Sequence, residues 1–280
     1  MSRGLDHVVV AVRDLEAAAA VWQALGFTLT PKARHPFGTA NRLIQLDGAF
    51  IELLAVEDAA SIADPAPGAF SFAAFNRDFL AARVGASMLV VDSTDPAADR
   101  AAFAAAGLPV FEPFAFERTA AAPDGGSARV GFDLTFTADP QAPGIGFFTC
   151  RNRYPENFWK ADYQRHANGA RRLADVVLVA EDPADHHIFL EAFAGRRELR
   201  ATSLGIEVET ARGWISIFTP VGFRLMFGDA AADALPARLP AISAIAVEGD
   251  EGTERQVVPG SELFGVTLVL DGTGRVRAGR

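Results

Sequence analysis

One unit of sequence recurs three times in this chain, and its regular spacing is the strongest constraint on the fold. Each copy begins with a run of strand-forming residues, continues through an apolar helical segment and closes at a glycine. The copies run from His7 to Gly26, from Met88 to Gly107 and from Val176 to Gly195, so the first residue and the glycine are 19 positions apart each time. Three ungapped copies in one register predict a fold built from repeated units.

The helix ends of the unit carry the residue types that begin and end helices. Asp95 and Asp182 are placed to cap the second and third helices, and each is followed by a proline that suits the first helical turn. In every copy the closing glycine stands where a helix C-cap is expected. The strand–helix order of the unit is therefore supported by its boundaries as well as by its apolar pattern.

Three further strand-like segments follow each strand–helix unit, which predicts an α+β fold of βαβββ modules. After the first unit these are TLTP, ANRLIQLDG and AFIELLAV; after the second, VFEPFAFER, ARVGFDLTFT and GIGFFTC; after the third, ELRATSLGIEV, GWISIFTP and GFRLMFGD. The C-terminal remainder keeps AISAIAVEG and GVTLVLDG without a helix between them, as in a shortened fourth module. We expect paired modules over residues 1–152, a connector over 153–172, and a third module with a degenerate fourth over 173–280.

Charge and composition narrow the class of partner. The 280 residues include 26 Lys and Arg against 35 Asp and Glu, a net charge of −9, so a nucleic-acid partner is not expected. The single cysteine, Cys150, excludes an intrachain disulfide, and the N-terminus lacks the pattern of a signal peptide. We expect a soluble, cytoplasmic protein with no membrane partner, and open sheets of this kind make a homodimer a reasonable expectation.

Several common catalytic motifs are missing from the sequence. It contains no glycine-rich phosphate loop, no nucleophile elbow and no CxxC pair. These gaps argue against nucleotide hydrolysis, α/β-hydrolase chemistry and thioredoxin-type chemistry.

Two modules that open with LDHVVVAV and close with FIELLAV resemble the vicinal oxygen chelate superfamily, which includes glyoxalase I, extradiol dioxygenases and bleomycin-resistance proteins. The stretches GTANRLIQLDGAFIELL and RYPENFW are similar to those of its glyoxalase-like domain proteins. The resemblance implies that two modules close into a half-open barrel lined by their first and fourth strands, where metal ligands lie. It places the metal ligands at His7 and Glu52.

Imidazole and carboxylate together suit a divalent ion such as Mn²⁺, Fe²⁺, Zn²⁺ or Ni²⁺. The second module departs from this pattern, because its first-strand position is Met88 and its fourth strand, GIGFFTCRNR, has no carboxylate or imidazole. In the third module the corresponding residues are read as Val176 and Arg224. The ligand set is therefore incomplete, and the expected cofactor is none or a weakly bound divalent ion.

Glu52 is also the candidate catalytic residue, because a carboxylate in a buried strand is costly unless it is paired, ligated or protonated. Its expected salt-bridge partners are Arg42, Arg151 and Arg153. Arg151 and Arg153 are in addition candidates to pair with a substrate carboxylate. His7 remains open between a ligand and a satisfied core histidine.

The remaining candidate substrate-binding residues lie near the expected barrel mouth or on its inner face. His35 lies in the loop ARHPFGTAN, and Thr39 and Asn41 are either pocket polar groups or turn formers. Among the 22 phenylalanines, Phe111 and Phe148 are expected on the inner face, where they favour an apolar or aromatic ligand. His186 and His187 are interpreted as a surface pair, and His166 as a solvated or capping residue.

Two functional hypotheses follow, with a third for the C-terminal half. The first is a metalloenzyme of the glyoxalase or dioxygenase type, acting as a lyase, isomerase or dioxygenase on a small oxygenated molecule, with Glu52 as ligand or base. The alternative is a metal-free protein that binds or sequesters a small apolar or aromatic molecule in the same cavity. Residues 173–280 are expected to be structural or dimer-forming in either case.

Overall fold

The computed structural model describes residues 2–121 and 126–273, which form two mixed sheets with helices packed against them. The first sheet contains β1 Leu5–Ala11, β2 Ala33–Arg34, β3 Thr39–Gln45, β4 Phe50–Val56, β5 Gly85–Asp92, β6 Phe114–Ala121, β7 Ser127–Thr137 and β8 Gly146–Asn152. The second contains β9 Ala170–Val179, β10 Leu199–Thr202, β11 Gly205–Glu209, β12 Trp214–Phe218, β13 Ala241–Gly249, β14 Gln256–Val258 and β15 Thr267–Asp271.

Seven helices and two single 3-10 turns connect these strands in the described part of the chain. The helices are α1 Leu15–Ala24, α2 Phe72–Ala82, α3 Pro96–Ala105, α4 Pro155–Phe158, α5 His187–Ala194, α6 Pro220–Phe227 and α7 Asp229–Asp233, and the 3-10 turns are Ala59–Ser61 and Pro183–His186. In these residues no helix has the length and apolar character needed to cross a membrane.

Helix boundaries follow the residue types found in the repeated unit. Asp14 and Asp95 each accept two backbone N–H groups at the start of α1 and α3, and Asp182 accepts one at the start of the 3-10 turn before α5. Gly26, Gly107 and Gly195 follow these helices with φ of 88°, 73° and 66°, a left-handed backbone that favours glycine. The expected helix starts and ends are confirmed for α1 and α3; in the third copy Gly195 ends the helix as expected, but Asp182 caps the 3-10 turn and α5 begins at His187.

Each sheet is built around a central antiparallel pair of strands. The order is β2-β3-β4-β1-β5-β8-β7-β6 in the first sheet and β10-β11-β12-β9-β13-β15-β14 in the second. β1 and β5 are antiparallel neighbours, and each has the last strand of its own module, β4 or β8, parallel on its other side. β9 and β13 repeat this arrangement with β12 and β15. The α+β fold of paired βαβββ modules is confirmed.

The C-terminal half differs from the sequence interpretation in two places. The segment GFRLMFGD, expected as a strand, forms α6, because Pro220 occupies the first turn and the Thr219 hydroxyl accepts the Gly222 N–H as an N-cap. β9 begins at Ala170, inside the expected connector 153–172. Between β13 and β15 the described chain forms β14 and turns but no helix, as expected for the shortened fourth module.

The two sheets share one core on their helix-bearing faces. This cluster joins β1 and β5 to β9 and β13 through Trp22 of α1, Phe103 of α3 and Phe193 of α5, all fully buried. The opposite, concave face of each sheet has its own apolar cluster. A site on one concave face is therefore separated from the other by the shared core.

Candidate functional site

A small cavity lies on the concave face of the first sheet, where alternate residues of β1 and β4 point inward. Val9 pairs with Glu52 in the parallel ladder, and His7 pairs with Phe50, so His7 and Glu52 belong to the same face of the sheet. The cavity measures about 40 Å³. Its lining residues are His7, His35, Phe37, Asn41, Leu43, Phe50, Glu52, Phe72, Phe116, Arg118, Phe132, Leu134, Phe148, Cys150 and Phe158.

Glu52 is the buried carboxyl group of this cavity, with 6% of its side chain exposed. Asn41 donates from Nδ2 to Glu52 Oε1 at 2.6 Å. Among the described residues, no lysine or arginine forms a salt bridge with Glu52, which differs from the expected pairing with Arg42, Arg151 or Arg153. Burial raises the pKa of Glu52, opposed by His7, the Asn41 hydrogen bond and Arg118. A carboxyl group in this setting keeps its proton to a higher pH than an exposed glutamate does.

His7 presents one ring nitrogen to Asp6 and the other to Glu52. Nδ1 lies 2.5 Å from Asp6 Oδ1, and Nε2 lies 3.8 Å from Glu52 Oε2. The ring stacks on Phe50 with centroids 4.2 Å apart, which restricts its orientation. Asp6 therefore fixes the imidazole so that Nε2 faces the cavity carboxyl group.

A second imidazole, His35, reaches Glu52 from the other side through a hydrogen-bonded row of side chains. His35 Nδ1 lies 2.8 Å from Thr39 Oγ1, and Asn41 Nδ2 lies 3.2 Å from His35 Nε2 and also donates to Glu52. Burial, with a smaller effect from Arg118, lowers the pKa of His35 to about 3, so the ring is neutral at pH 7. With Asn41 donating to Nε2, the proton of His35 lies on Nδ1 and is donated to Thr39.

The sequence-predicted residues His7, His35, Asn41, Glu52 and Phe148 all line the cavity. Thr39 is buried behind His35 and contacts it rather than the open space. Phe111 packs on Phe70, with ring centroids 5.4 Å apart, and does not line the cavity.

Arg151 and Arg153 lie outside the cavity, which corrects their expected substrate-binding role. Both are exposed, because alternation along β8 turns Cys150 inward and Arg151 outward. The Arg153 guanidinium forms ion pairs with Asp133 and with Glu117 on the outer side of the sheet. Arg42 also faces away from Glu52 and pairs with Glu16 at 2.8 Å.

Arg118 is the charged residue of the cavity that the sequence interpretation missed. It lies on β6 two positions after Phe116, and both residues line the cavity, whereas Glu117 between them pairs with arginines on the outer side. The alternation in VFEPFAFER carried this information, since residues two apart on a strand share a face. Because Phe116 faces the cavity, the same alternation predicts that Arg118 faces it too.

Two other histidines differ in part from their sequence interpretation. His186 is buried rather than exposed, with Nδ1 2.6 Å from Asp139 Oδ2. His166 accepts the Thr28 backbone N–H at Nδ1 and lies 2.9 Å from the Gln45 carbonyl at Nε2. Both histidines therefore connect loops to neighbouring elements.

Two further cavities adjoin the first. One, of about 60 Å³, shares Leu43, Arg118 and Phe158 with it and is also lined by Lys32 and Lys160. The other, of about 240 Å³, shares Phe50, Phe132, Cys150 and Phe158 and is also lined by Trp159. The small cavity thus has a basic neighbour on one side and a larger neighbour on the other, which combines aromatic walls with the charged residues Asp6, Asp92 and Arg212.

The donor atoms around Glu52 suit a divalent ion held by two protein ligands. Two ligand atoms about 2.1 Å from one ion lie about 3.0 to 3.4 Å apart, close to the 3.8 Å from His7 Nε2 and the 3.9 Å from His35 Nε2 to the Glu52 oxygens. Within residues 2–121 and 126–273, however, the three side chains do not form a cluster with all ligand atoms within 4.8 Å. One imidazole and Glu52 would hold the ion, and the rest of its shell would come from other molecules.

A different trio in the described chain does meet that distance: Asp6, His7 and Cys150. Nitrogen, oxygen and sulfur donors of this kind suit Zn²⁺. In the structure, however, His7 Nδ1 is committed to Asp6 at 2.5 Å, which is closer than two ligands of one ion, and burial raises the pKa of the Cys150 thiol. Zinc binding here would require separation of the first pair and loss of the thiol proton.

Strand pairing identifies the residues that occupy the His7 and Glu52 positions in the other modules. In the second module they are Met88 and Phe148, in agreement with the incomplete ligand set. In the third they are Asp175 and Ser216 rather than Val176 and Arg224, because Asp175 and Val177 have the register against β12 that His7 and Val9 have against β4. In the fourth they are Ala244 and Val269.

Comparisons with known proteins agree with this architecture. The family model described as glyoxalase-like domain matches residues 5–193. A hypothetical protein from Staphylococcus aureus has a solved structure that superposes with a TM-score of 0.73 at 12% identity, covering 96% of this chain and 98% of that one. No curated protein matches the chain.

Two further solved structures are similar over part of their length or of this chain. A xylose isomerase-like TIM barrel/4-hydroxyphenylpyruvate dioxygenase fusion protein gives a TM-score of 0.51 at 14% identity, covering 90% of this chain and 37% of that one. Methylmalonyl-CoA epimerase from Mycobacterium tuberculosis gives 0.36 at 22% identity, covering 52% of this chain and 86% of that one. The family model spans well over half of the chain, which therefore belongs to the glyoxalase-like domain family.

Proposed function

We propose that the chain is an enzyme that transfers a proton at a carbon next to a carbonyl group of a small oxygenated molecule, with Glu52 as the acid–base residue. The observation that carries the proposal is the state of Glu52: it is a buried carboxyl group, held by Asn41, with no described cationic side chain bonded to it, and it faces a cavity walled by phenylalanines. A group poised in this way suits general acid–base catalysis.

In the proposed step, Glu52 takes the proton. The substrate C–H bond breaks, an O–H bond forms on the carboxylate, and the electron pair of the C–H bond moves into the adjacent carbonyl as an enolate. Return of the proton to the face from which it left regenerates the substrate, return to the opposite face inverts the carbon, and no oxidant or reductant is consumed. Asn41 orients the carboxylate, and the phenylalanine walls exclude water from the enolate.

A divalent ion, when bound through Glu52 and His7 or His35, would polarise the substrate carbonyl. His7 keeps a role without it. The Asp6-oriented His7 lies 3.8 Å from Glu52 and favours its ionised form, whereas His35 is neutral and, with its lowered pKa, does not take the Glu52 proton. Expected metal dependence is therefore partial rather than absolute.

Solvent hydrogen exchange tests the proposal. Pyruvate, 2-oxobutyrate and phenylpyruvate are incubated in D₂O, and loss of the C–H signal next to the carbonyl is followed by NMR above the enzyme-free rate. We expect Glu52→Gln to slow the enzyme-dependent exchange by about 100-fold or more, and Glu181→Gln, a change of an exposed glutamate, to leave it unchanged. The enzyme-dependent rate should rise with pH through the raised pKa of Glu52, since the base must be ionised.

Equal exchange by the wild type and Glu52→Gln would contradict the assignment of Glu52. Absence of exchange with all three acids, together with tight binding of a small molecule, would instead support the metal-free binding protein. That alternative draws on the apolar walls of the cavity, which suit sequestration as well as catalysis.

A further inference from the structure

Arg118 points into the cavity from β6, the outermost strand of the first sheet on that side. It lines both the 40 Å³ cavity that holds Glu52 and the adjoining cavity of about 60 Å³. The guanidinium therefore lies where the two spaces meet, on the inner face that Phe114 and Phe116 share.

Two of the three nitrogens of this guanidinium are buried and unsatisfied. Nε and Nη1 have no hydrogen-bond partner among the described residues, and no carboxylate of that part of the chain lies within 4 Å to form a salt bridge. Burial lowers the pKa of Arg118, with Glu52 acting in the opposite direction. Arg118 is only partly buried, but Nε and Nη1 are shielded from water without a partner, so an anion that accepts from them would be favoured.

The neighbouring cationic groups are already engaged. Lys32 pairs with Glu57 at 2.6 Å, and Lys160 Nζ lies 3.5 Å from the Glu156 carbonyl. Arg153, on the opposite side of the sheet, is held by Asp133 and Glu117. Of these cations at or near the cavity, Arg118 is the one whose buried N–H groups are left for a ligand.

The shape and lining of the space select the kind of anion. A carboxylate is planar and monovalent, and its oxygens match guanidinium N–H groups. A phosphate would bring further charged oxygens against Leu43, Phe116 and Phe158, which offer them no donors. The rest of the ligand has room toward the 240 Å³ cavity, whose shared walls are Phe50, Phe132, Phe158 and Cys150.

We propose that Arg118 binds the carboxylate of the substrate, which is a small organic acid with an apolar or aromatic body. The inference rests on the proposed proton-transfer function for the identity of the bound molecule as substrate. Because Arg118 and Glu52 line one cavity, anchoring the carboxylate on Arg118 brings the neighbouring carbon toward the acid–base residue. Arg118 is then the specificity-determining residue.

Isothermal titration calorimetry with benzoate and with benzamide, its neutral analogue, tests this assignment. We expect wild type to bind benzoate at least 10-fold more tightly than benzamide. Arg118→Met should weaken benzoate binding about 10- to 100-fold, the range of a charge-assisted hydrogen bond, and leave benzamide binding nearly unchanged. The control Arg129→Met removes an exposed arginine on the outer side of the adjacent strand and should not change either affinity.

Arg118→Lys separates loss of the planar N–H donors from loss of the positive charge. It should retain part of the benzoate preference, since an ammonium keeps the charge without the planar donors, and urea unfolding of each variant establishes that it is folded. Equal affinity of wild type for benzoate and benzamide, or unchanged benzoate binding in folded Arg118→Met, would overturn the proposal. Tighter binding of inorganic phosphate than of benzoate would overturn the carboxylate assignment.

Glu52→Gln keeps this test independent of the proposed reaction. The variant should bind benzoate as tightly as wild type or more so, because a negative charge near the anion has been removed. Arg118-dependent benzoate binding without proton exchange would reject the reaction and keep the anion site. Glu52-dependent exchange with Arg118-independent binding would do the reverse.

Discussion

The two sheets share one topology, but their concave faces differ: the first has a cavity lined by two imidazoles and a carboxyl group, whereas the second has buried acids beside apolar side chains. At the position of His7 the second sheet has Asp175, and at the position of Glu52 it has Ser216, whose hydroxyl donates to Asp175 Oδ2 at 2.7 Å. Its concave cluster includes Phe223 and Phe227 of α6, which pack against the strands. At these positions the second sheet therefore has an aspartate and a serine beside packed phenylalanines, where the first sheet has a histidine and a glutamate beside a cavity.

The second sheet nevertheless retains two buried acidic groups. Asp175 Oδ1 and Glu207 Oε2 have no hydrogen-bond partner in the part of the chain that the structure describes. Burial, reinforced by Glu207, raises the pKa of Asp175 to about 7. Buried carboxyl groups alone therefore do not distinguish the sheets; the difference is that Glu52 faces a cavity with imidazoles and an arginine.

The largest expected effect tests whether α6 is part of a solid core. Phe223→Ala should lower the free energy of unfolding by about 3 to 5 kcal/mol, since Phe223 is fully buried. Phe72→Ala, at the wall of the first cavity, should cost about half as much because one side of that ring already borders open space. Urea unfolding of both variants gives the comparison, and equal losses would show that the two concave faces are packed alike.

The next largest expected difference between the two sheets is in how the free energy of unfolding depends on pH. In the unfolded chain Asp175 loses its proton near pH 4, whereas in the folded chain it keeps it until about pH 7. Between these values the unfolded state is favoured as pH rises, so this group makes the protein less stable at pH 8 than at pH 5.

Asp175→Asn should remove that loss and raise the free energy of unfolding at pH 8 by about 1 to 3 kcal/mol. Ser216 donates a hydrogen bond to Asp175, and Glu207, the second buried acid, acts on Asp175 through its charge and lies 3.7 Å from Arg200. Glu207→Gln is therefore the matched control. Parallel pH profiles of wild type and Asp175→Asn would reject the assignment.

Glu52→Gln should have a smaller stabilising effect in the first sheet. The folded pKa of Glu52 lies above its unfolded value, so its contribution to stability falls as pH rises above about 4.3. Because His7, Asn41 and Arg118 offset part of the burial cost, we expect a smaller gain at pH 8 than for Asp175→Asn. Thermal unfolding at pH 5 and 8 measures it, and a destabilised variant at pH 8 would mean that ionised Glu52 holds the fold together.

Metal content is expected to differ least between wild type and variants. Elemental analysis of untagged protein should find less than one divalent ion per chain, because two protein ligands replace only a small part of the water that the ion loses on binding. His7→Ala should change this value little. One tightly bound ion per chain, lost in His7→Ala, would restore the full metalloenzyme hypothesis.

Much of the fold could be predicted because its boundaries are local. Aspartate caps, prolines in first turns and closing glycines act over four or five residues, and they located both ends of α1 and α3 and the end of α5. α6 was missed because GFRLMFGD is apolar enough for either structure, and the decisive signal, Thr219 followed by Pro220, lies just before it. Short apolar runs leave helix and strand unresolved.

The third-module positions show how a one-residue offset changes a site prediction. Asp14 and Asp182 are 168 residues apart, whereas Gly26 and Gly195 are 169 apart. Aligning on the glycines selects Val176, which faces the shared core, and aligning on the caps selects Asp175, which faces the concave side. In a strand, one position exchanges the two faces.

The site residues that could be predicted lie on strands that have a neighbouring strand on each side. His7 and Glu52 follow from strand alternation and the family resemblance, but the choice among arginines depends on contacts across the sheet. Ion pairs hold Arg153 outside the cavity, and their partners, Asp133 and Glu117, are 20 and 36 residues away in sequence. Homodimer formation stays a prediction, to be measured by size-exclusion chromatography with light scattering.

The strand order also separates the parts of the site by how firmly they are held. β1, β4, β5 and β8 each have a ladder on both sides, so His7, Glu52 and Phe148 sit in the most protected hydrogen-bond network of the first sheet. β6, which carries Arg118, has only β7 beside it. Displacing this edge breaks one ladder and leaves the acid–base groups in place. Amide hydrogen exchange should therefore be faster along β6 than along β1, β4, β5 and β8, and we expect it to slow when an acid binds at Arg118.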